Sequence, residues 1–142
     1  MDWEYPVFRE GQIINVADKR NIILLLQQVQ KIFSNNQSLS KLIVSVAVAA
    51  CEYQASKSYD ISQLTQNVDF INLMTYDAHG PWETQTGLHS ALYNDPASVD
   101  NCVNYWIRNG ATPSKIILGI PTYGNLFLIV SKIDSRTKEF EN

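Results

Sequence analysis

Apolar residues fall into two arrangements along this chain: short unbroken runs, and stripes at helical spacing. The unbroken runs cover residues 42–50 (LIVSVAVAA), 69–76 and 115–121, and they read as strands buried on both faces. Ile22, Leu25, Leu26, Val29, Ile32 and Phe33 make one stripe of a helix over 19–34, with Asp18 as its cap. Asp60 with Gln63 three positions on has the form of a capping box for a short helix near 61–67. Ser98 caps another helix, whose stripe is Val99, Cys102, Val103, Trp106 and Ile107; Gly110 closes it and Pro113 follows. Residues 1–5 read as a strand end, 7–17 and 77–97 as loops, 126–131 as one further strand and 132–142 as a charged tail.

Strand-helix alternation with near-continuous apolar strands predicts an α/β fold around a parallel sheet. A doubly wound sheet and a (β/α)₈ barrel both fit. Asp2 with Glu4, Tyr76 with Asp77, and Tyr123 all fall at the C-terminal ends of their strands. Barrel enzymes collect their working groups there, which favours the barrel. A barrel of about 250 residues allots roughly 31 to each βα unit. The 142 residues therefore make a partial (β/α)₈ TIM barrel of about four units.

Apolar content of 45% and charge of 18% fit a folded domain rather than a disordered chain. A net charge of −3 with no Lys/Arg run predicts no nucleic-acid partner, and no apolar stretch is long enough for a membrane span. The start lacks the basic residues and apolar core of a signal peptide. Cys51 and Cys102 read as two buried free thiols, with a single disulfide as the alternative; neither forms a metal-ligand pattern with His79 or His89. No metal and no cofactor is implied. Asn36-Gln37-Ser38 is a glycosylation sequon, of consequence only in a secreted protein.

The chemistry concentrates at residues 1–6, MDWEYP. In an extended strand Asp2 and Glu4 point to one side and Met1 and Trp3 to the other. Two like charges at that spacing raise each other's proton affinity, which can make a usable acid near neutral pH. The plainer reading is an edge strand with two solvated acids. Tyr76 shares the parity of Asn72 and Met74, so its hydroxyl can reach a ligand above a barrel. On residues alone, Tyr76 and Trp82 read as core aromatics.

Three blocks stand in order: DWEYP at 2–6, FINLMTYDAHGPWE at 70–83 with TGLHSALY at 86–93, and SKIILGIPTYG at 114–124. Together with the helix VDNCVNYWIRNGA they resemble the family 18 glycoside hydrolases, the chitinases and chitinase-like proteins of animals. The resemblance covers residues 1 to about 127 and implies a run from the fourth barrel strand to just after the seventh. It implies residues 1–130 as part of a catalytic barrel and 131–142 as a divergent tail or the start of an α+β insertion. It implies Glu4 as the acid that protonates the glycosidic oxygen, Asp2 as the neighbour holding the N-acetyl group, and Tyr76 as the hydrogen-bond partner of that group as it attacks C1. Met74, Asp77 and Tyr123 match sugar-contacting positions, and Trp82 a loop tryptophan that stacks on a pyranose ring.

The implied partners are chitin or N-acetylglucosamine oligosaccharides, and the implied location is extracellular. The family motif runs D-x-x-D-x-D-x-E, of which only the final D-x-E stands here, so Met1 reads as an internal methionine. Asn125 occupies a position where the family usually carries arginine. The two differences leave a non-catalytic, chitin-binding lectin as the alternative to a chitinase.

A half-barrel has two open edges that closure would remove. The isolated 142-residue chain is thus expected to be inactive, aggregation-prone and without a cooperative unfolding transition. A sharp two-state urea curve from a monomer would contradict this.

Overall fold

In the computed structural model, residues 1–7 and 15–126 are described. The expected loop over 7–17 lies partly outside them, and the strand at 126–131 and the tail lie almost wholly outside. The element order is α1 (Asp18–Ser34), β1 (Ser45–Ala49), α2 (Glu52–Ser58), α3 (Ile61–Gln66), β2 (Phe70–Met74), α4 (Val99–Arg108) and β3 (Ile116–Leu118), with a 3₁₀ turn at Pro113–Lys115. The strands pair in parallel in the order β1-β2-β3. Val46 lies opposite Ile71, and Val48 opposite Leu73.

Strand alternation sorts this sheet into two different faces. Val46, Val48, Ile71 and Leu73 are buried and join one core with Ile22, Ile23 and Leu26 of α1, Ala55 of α2, Leu64 of α3 and Trp106 of α4. All four helices therefore contribute to the cover of one face. Ser45, Ala47, Asn72 and Met74 are only half-buried, so the opposite face is the more open one, although Ala49 at its end is buried and the short β3 exposes Ile117 and Leu118 alike. The sequence reading treated every strand as buried on both faces; the half-burial of Ala47, Asn72 and Met74 corrects it.

Local signals explain most of the elements. Asp60 caps α3 as expected, accepting from Gln63 N–H at 3.0 Å. The Gln63 side chain, however, donates to Asp60 Oδ2 at 2.6 Å instead of accepting from the Asp60 amide as a capping box would. Ser98 caps α4 by accepting from Asn101 N–H, and Gly110 follows the helix at φ +100°. Asp18 does not cap α1. It is the first helical residue, and its carboxylate accepts from Asn15 and Asn21 instead. The α1 stripe is also narrower than expected, because Leu25 and Ile32 are 44% and 56% exposed while Ile23 is buried. The first strand shrinks at its start, where Leu42 and Ile43 are exposed. Helix α2 has no counterpart in the sequence reading.

Residues 1–5 do not form a strand. Met1 makes one rung of parallel pairing, donating from its backbone N to Ser45 O and accepting from Ala47 N–H at 3.0 Å. The next rung needs the N–H of Ala49, and the buried Tyr59 hydroxyl takes it at 3.3 Å. Glu4 then turns away at φ +23°, outside the regions that side chains readily occupy.

The expectation of two free thiols is also corrected. Cys51 and Cys102 form a disulfide, with Cα atoms 4.5 Å apart. A spacing of 51 residues carries no sign of that proximity; it arises because α4 packs beside the C-terminal end of β1. One helical turn beyond Cys102, the buried Trp106 indole donates to Ala50 O at 2.8 Å. Two bonds from one face of α4 thus hold two consecutive residues after β1.

Replacing both cysteines with alanine in the full-length protein should lower unfolding stability by about 2–4 kcal/mol, read from urea curves. An unchanged midpoint would show that the crosslink constrains nothing.

Candidate active site

Each parallel strand ends at the same edge of the sheet, and the candidate residues are arrayed along that edge. The one rung sets Met1 opposite Val46, whose partner on β2 is Ile71, so Asp2 and Glu4 follow at the free edge of β1 without continuing its register. Two strand spacings amount to about 10 Å. On the more open face β1 carries only the small side chains of Ser45, Ala47 and Ala49, so this width is not filled from β1. Asp2 is exposed and Glu4 half-buried.

Beyond Met74 the chain makes a strained turn. Asp77 has φ +54°, and with Glu4 and Asn94 it completes the positive-φ non-glycine residues among those described. Strained backbone of this kind clusters at functional sites, at roughly 1–3 kcal/mol each. Two of these three, Glu4 and Asp77, are among the residues that the family resemblance implies for the site.

The Tyr76 ring packs against Gly119 after β3, where a Cβ would lie 2.7 Å from both the ring and Leu73 O. Only glycine lets the third strand approach so closely. Thr75 Oγ1 donates to Gly119 O at 2.6 Å, and Ser90 Oγ to Thr75 O at 2.7 Å, which fastens the following loop to the sheet edge.

Asp77 is the hub of this edge. Asn125 Nδ2 donates to its Oδ1 at 3.3 Å, and Nδ1 of His89 lies 3.5 Å from the same oxygen. Tyr123 also bonds to Asp77, and its ring meets Tyr76 edge-on at 6.3 Å and His89 at 5.2 Å. Loss of water around the Tyr123 hydroxyl, followed by the bond to and charge of Asp77, pushes its pKa up to about 12. The phenol therefore stays protonated as a donor.

An open cleft of about 380 Å³ lies beside the hub, lined by Asp77, His79, Gly80, Pro81, Trp82, Gly124, Asn125 and Leu126. That volume is within the range of small-ligand sites. Trp82 is 60% exposed, so it is no core aromatic; its ring lies against Gly80, where a Cβ would sit 2.3 Å away. Tyr76 is half-buried. Of the residues selected from sequence, Asp77 and Trp82 line the cleft and Tyr123 adjoins it through Asp77. Asp2, Glu4, Met74 and Tyr76 lie outside that lining.

The sequence reading considered His79 only as a metal ligand and passed over its real role. Its Nδ1 lies 2.7 Å from Glu83 and its Nε2 2.9 Å from Asp95. The acids flank opposite nitrogens, and no described group of three such residues is placed to hold a metal. The acid four residues after His79 was the available signal. Asp95 also accepts from Ala97 N–H at 2.7 Å, and its carbonyl accepts from Asn101 on α4. The clamp thus ties the Trp82 loop to α4.

Bonds to Asp95, then to Glu83, raise the His79 pKa above its ordinary 6.5. The Ala97 amide, then His79, lowers that of Asp95 below 3.8. The His79 contribution is full below about pH 6.5 and is lost as pH rises through the raised value. The Asp95 contribution is present above about 3.8 and is lost as pH falls through the depressed value.

Over residues 1–142 the chain matches the family model described as glycosyl hydrolases family 18. Probable chitinase 2 of Drosophila melanogaster is 32% identical over 130 residues, covering 89% of this chain and 25% of that protein. The oviduct-specific glycoprotein of Sus scrofa is 38% identical over 119 residues, covering 80% and 23%. The fold is similar to the crystal structure of Ostrinia furnacalis Group IV chitinase in complex with allosamidin. That match has a TM-score of 0.76 and 34% identity, covering 84% of this chain and 33% of the other. The chain spans about a quarter of the length of these curated relatives.

An NMR titration of the full-length protein should place the His79 midpoint above 6.5, moving back toward that value in Asp95→Asn. A midpoint at or below 6.5 would mean that the clamp does not form in solution.

Proposed function

The chain belongs to glycosyl hydrolases family 18, and on that premise we propose that it forms about four βα units of a (β/α)₈ barrel that hydrolyses β-1,4-linked N-acetylglucosamine polymers. The observation that carries the reading is the sheet with one helix-covered face and one open face, its candidate residues gathered at the C-terminal edge. A barrel needs that asymmetry, whereas a doubly wound sheet carries helices on both faces.

In this reading residues 1–130 are the barrel portion and 131–142 a divergent tail. The open face becomes the barrel interior. Residues beyond this chain supply the remaining wall, and the isolated piece is inactive. The complete protein is extracellular, a location that suits the Cys51–Cys102 pair.

The mechanism is substrate-assisted. Glu4 donates its proton to the glycosidic oxygen, which leaves with the electron pair of its bond to C1. The carbonyl oxygen of the substrate's own N-acetyl group attacks C1 from the other side and forms an oxazolinium ion. Asp2 accepts from the N–H of that group and stabilises its growing positive charge, while the Tyr76 hydroxyl donates to the acetyl oxygen. Water then attacks C1, giving its proton to the Glu4 carboxylate, and the C1–oxazolinium oxygen bond breaks. Two inversions leave the configuration retained. Because the substrate is the nucleophile, the usual rule linking carboxylate separation to stereochemistry does not apply.

Met74, Asp77 and Tyr123 contact the sugar, with Asp77 held in place by Tyr123 and Asn125. Trp82 offers an exposed apolar ring face to pyranose C–H groups.

A second reading, a chitin-binding lectin without turnover, is favoured by Asn125, which meets Asp77 as a neutral donor where the family usually carries a cation. In the full-length protein, Glu4→Gln should cut hydrolysis of chitin oligomers by about 10²–10⁴-fold with Kd nearly unchanged. Binding without hydrolysis in both forms would establish the lectin. Trp82→Ala should weaken Kd by about 3–10-fold, the worth of one aromatic stacking contact; an unaltered Kd would remove Trp82 from the site.

A further inference from the structure

We propose that Asn36 carries an N-linked glycan on the face of the protein opposite the cleft. Asn36-Gln37-Ser38 is the one Asn-x-Ser/Thr triplet in the chain. It falls just after α1, whose capping residue is Asn35, and residues 34–38 are all exposed.

The triplet sits in successive turns rather than in a regular element. Leu39 N–H donates to Asn36 O at 2.9 Å, and Leu42 N–H to Leu39 O at 2.9 Å. An extended or turn segment outside a helix is what a modifying enzyme can bind. Ser38 N–H donates to Asn36 Oδ1 at 3.0 Å, which fixes the side-chain amide by its oxygen. Its Nδ2, the atom to be modified, donates to no described residue.

The second requirement is compartment. N-linked glycans are added where disulfides form, and cytosolic proteins rarely hold structural disulfides. The Cys51–Cys102 pair joins two separate elements, β1's C-terminal end and α4, and so has the character of a structural crosslink.

Position then makes the modification compatible with the site. Asn36 precedes β1, at the end where the strands begin, and the cleft lies where they finish. Five strand residues separate those ends by about 16 Å. A glycan there projects away from Asp77 and Trp82.

The chemistry is a transfer from a lipid-diphosphate-linked oligosaccharide. Asn36 Nδ2 forms a bond to the sugar C1, the C1–oxygen bond to the diphosphate breaks, and the lipid diphosphate leaves with that electron pair. One Nδ2 proton is lost to a base of the transferase.

The test is expression of the full-length protein through an animal secretory pathway, with peptide mass spectrometry before and after amidase deglycosylation. The peptide holding Asn36 should appear only after treatment, with aspartate at position 36. Asn36→Gln and Ser38→Ala should each abolish the modification, with hydrolysis or binding of chitin oligomers unaffected. Either variant serves if the other is not secreted. An Asn36 peptide recovered unmodified from untreated protein in full yield would overturn the proposal. So would a glycan that maps solely to residues outside this triplet.

Discussion

A parallel sheet with its helical cover on one face only is the constraint on which the rest of this structure depends. Parallel strands need crossovers, and here those crossovers, α2 with α3 and then α4, return across the same face. Val46, Val48, Ile71 and Leu73 are committed to that side, which by strand alternation leaves Ala47, Asn72 and Met74 on the other. The same geometry brings every strand's C-terminal end to one edge. The distribution of polar chemistry follows: the acids, tyrosines and Asp77 stand where the backbone leaves the sheet.

That edge is held by contacts of two kinds. The end of β1 is pinned from below by α4, through the Trp106 indole on Ala50 and the disulfide at Cys51. Tyr59 packs on Trp106 with ring centroids 5.7 Å apart and uses its hydroxyl to stop the sheet from growing past Met1. Above the edge, polar networks take over. Asp77 gathers Tyr123, Asn125 and His89, while His79 draws Glu83 and Asp95 together and so ties the Trp82 loop to α4. The apolar core thus fixes the floor, and ionisable side chains shape what stands on it.

The legible parts of the fold were those coded by neighbouring residues. The Asp60 cap, the Ser98 cap and the alternation of Asn72 and Met74 are local patterns, and all three appear in the structure. What escaped depends on residues far apart in the chain. The strand at 1–5 was lost to the Tyr59 hydroxyl, more than fifty positions away, and the disulfide spans 51 residues. Helix α2 is seven residues with a short apolar pattern, and Leu25 and Ile32 of α1 point away from a sheet too narrow to cover them. The site divides similarly. Asp77, Trp82 and Tyr123 were selected by motif resemblance and lie together, whereas the clamp at His79 depends on how an irregular loop folds back on itself.

The central claim is that the acids of the first segment and the tyrosine edge of β2 act on one N-acetylated sugar. A crystal structure of full-length Glu4→Gln with a chitin tetrasaccharide tests it directly. The account predicts an N-acetyl group lying between Asp2 and Tyr76, with a neighbouring ring against Trp82. A sugar bound elsewhere, or an N-acetyl group out of reach of both Asp2 and Tyr76, would contradict it.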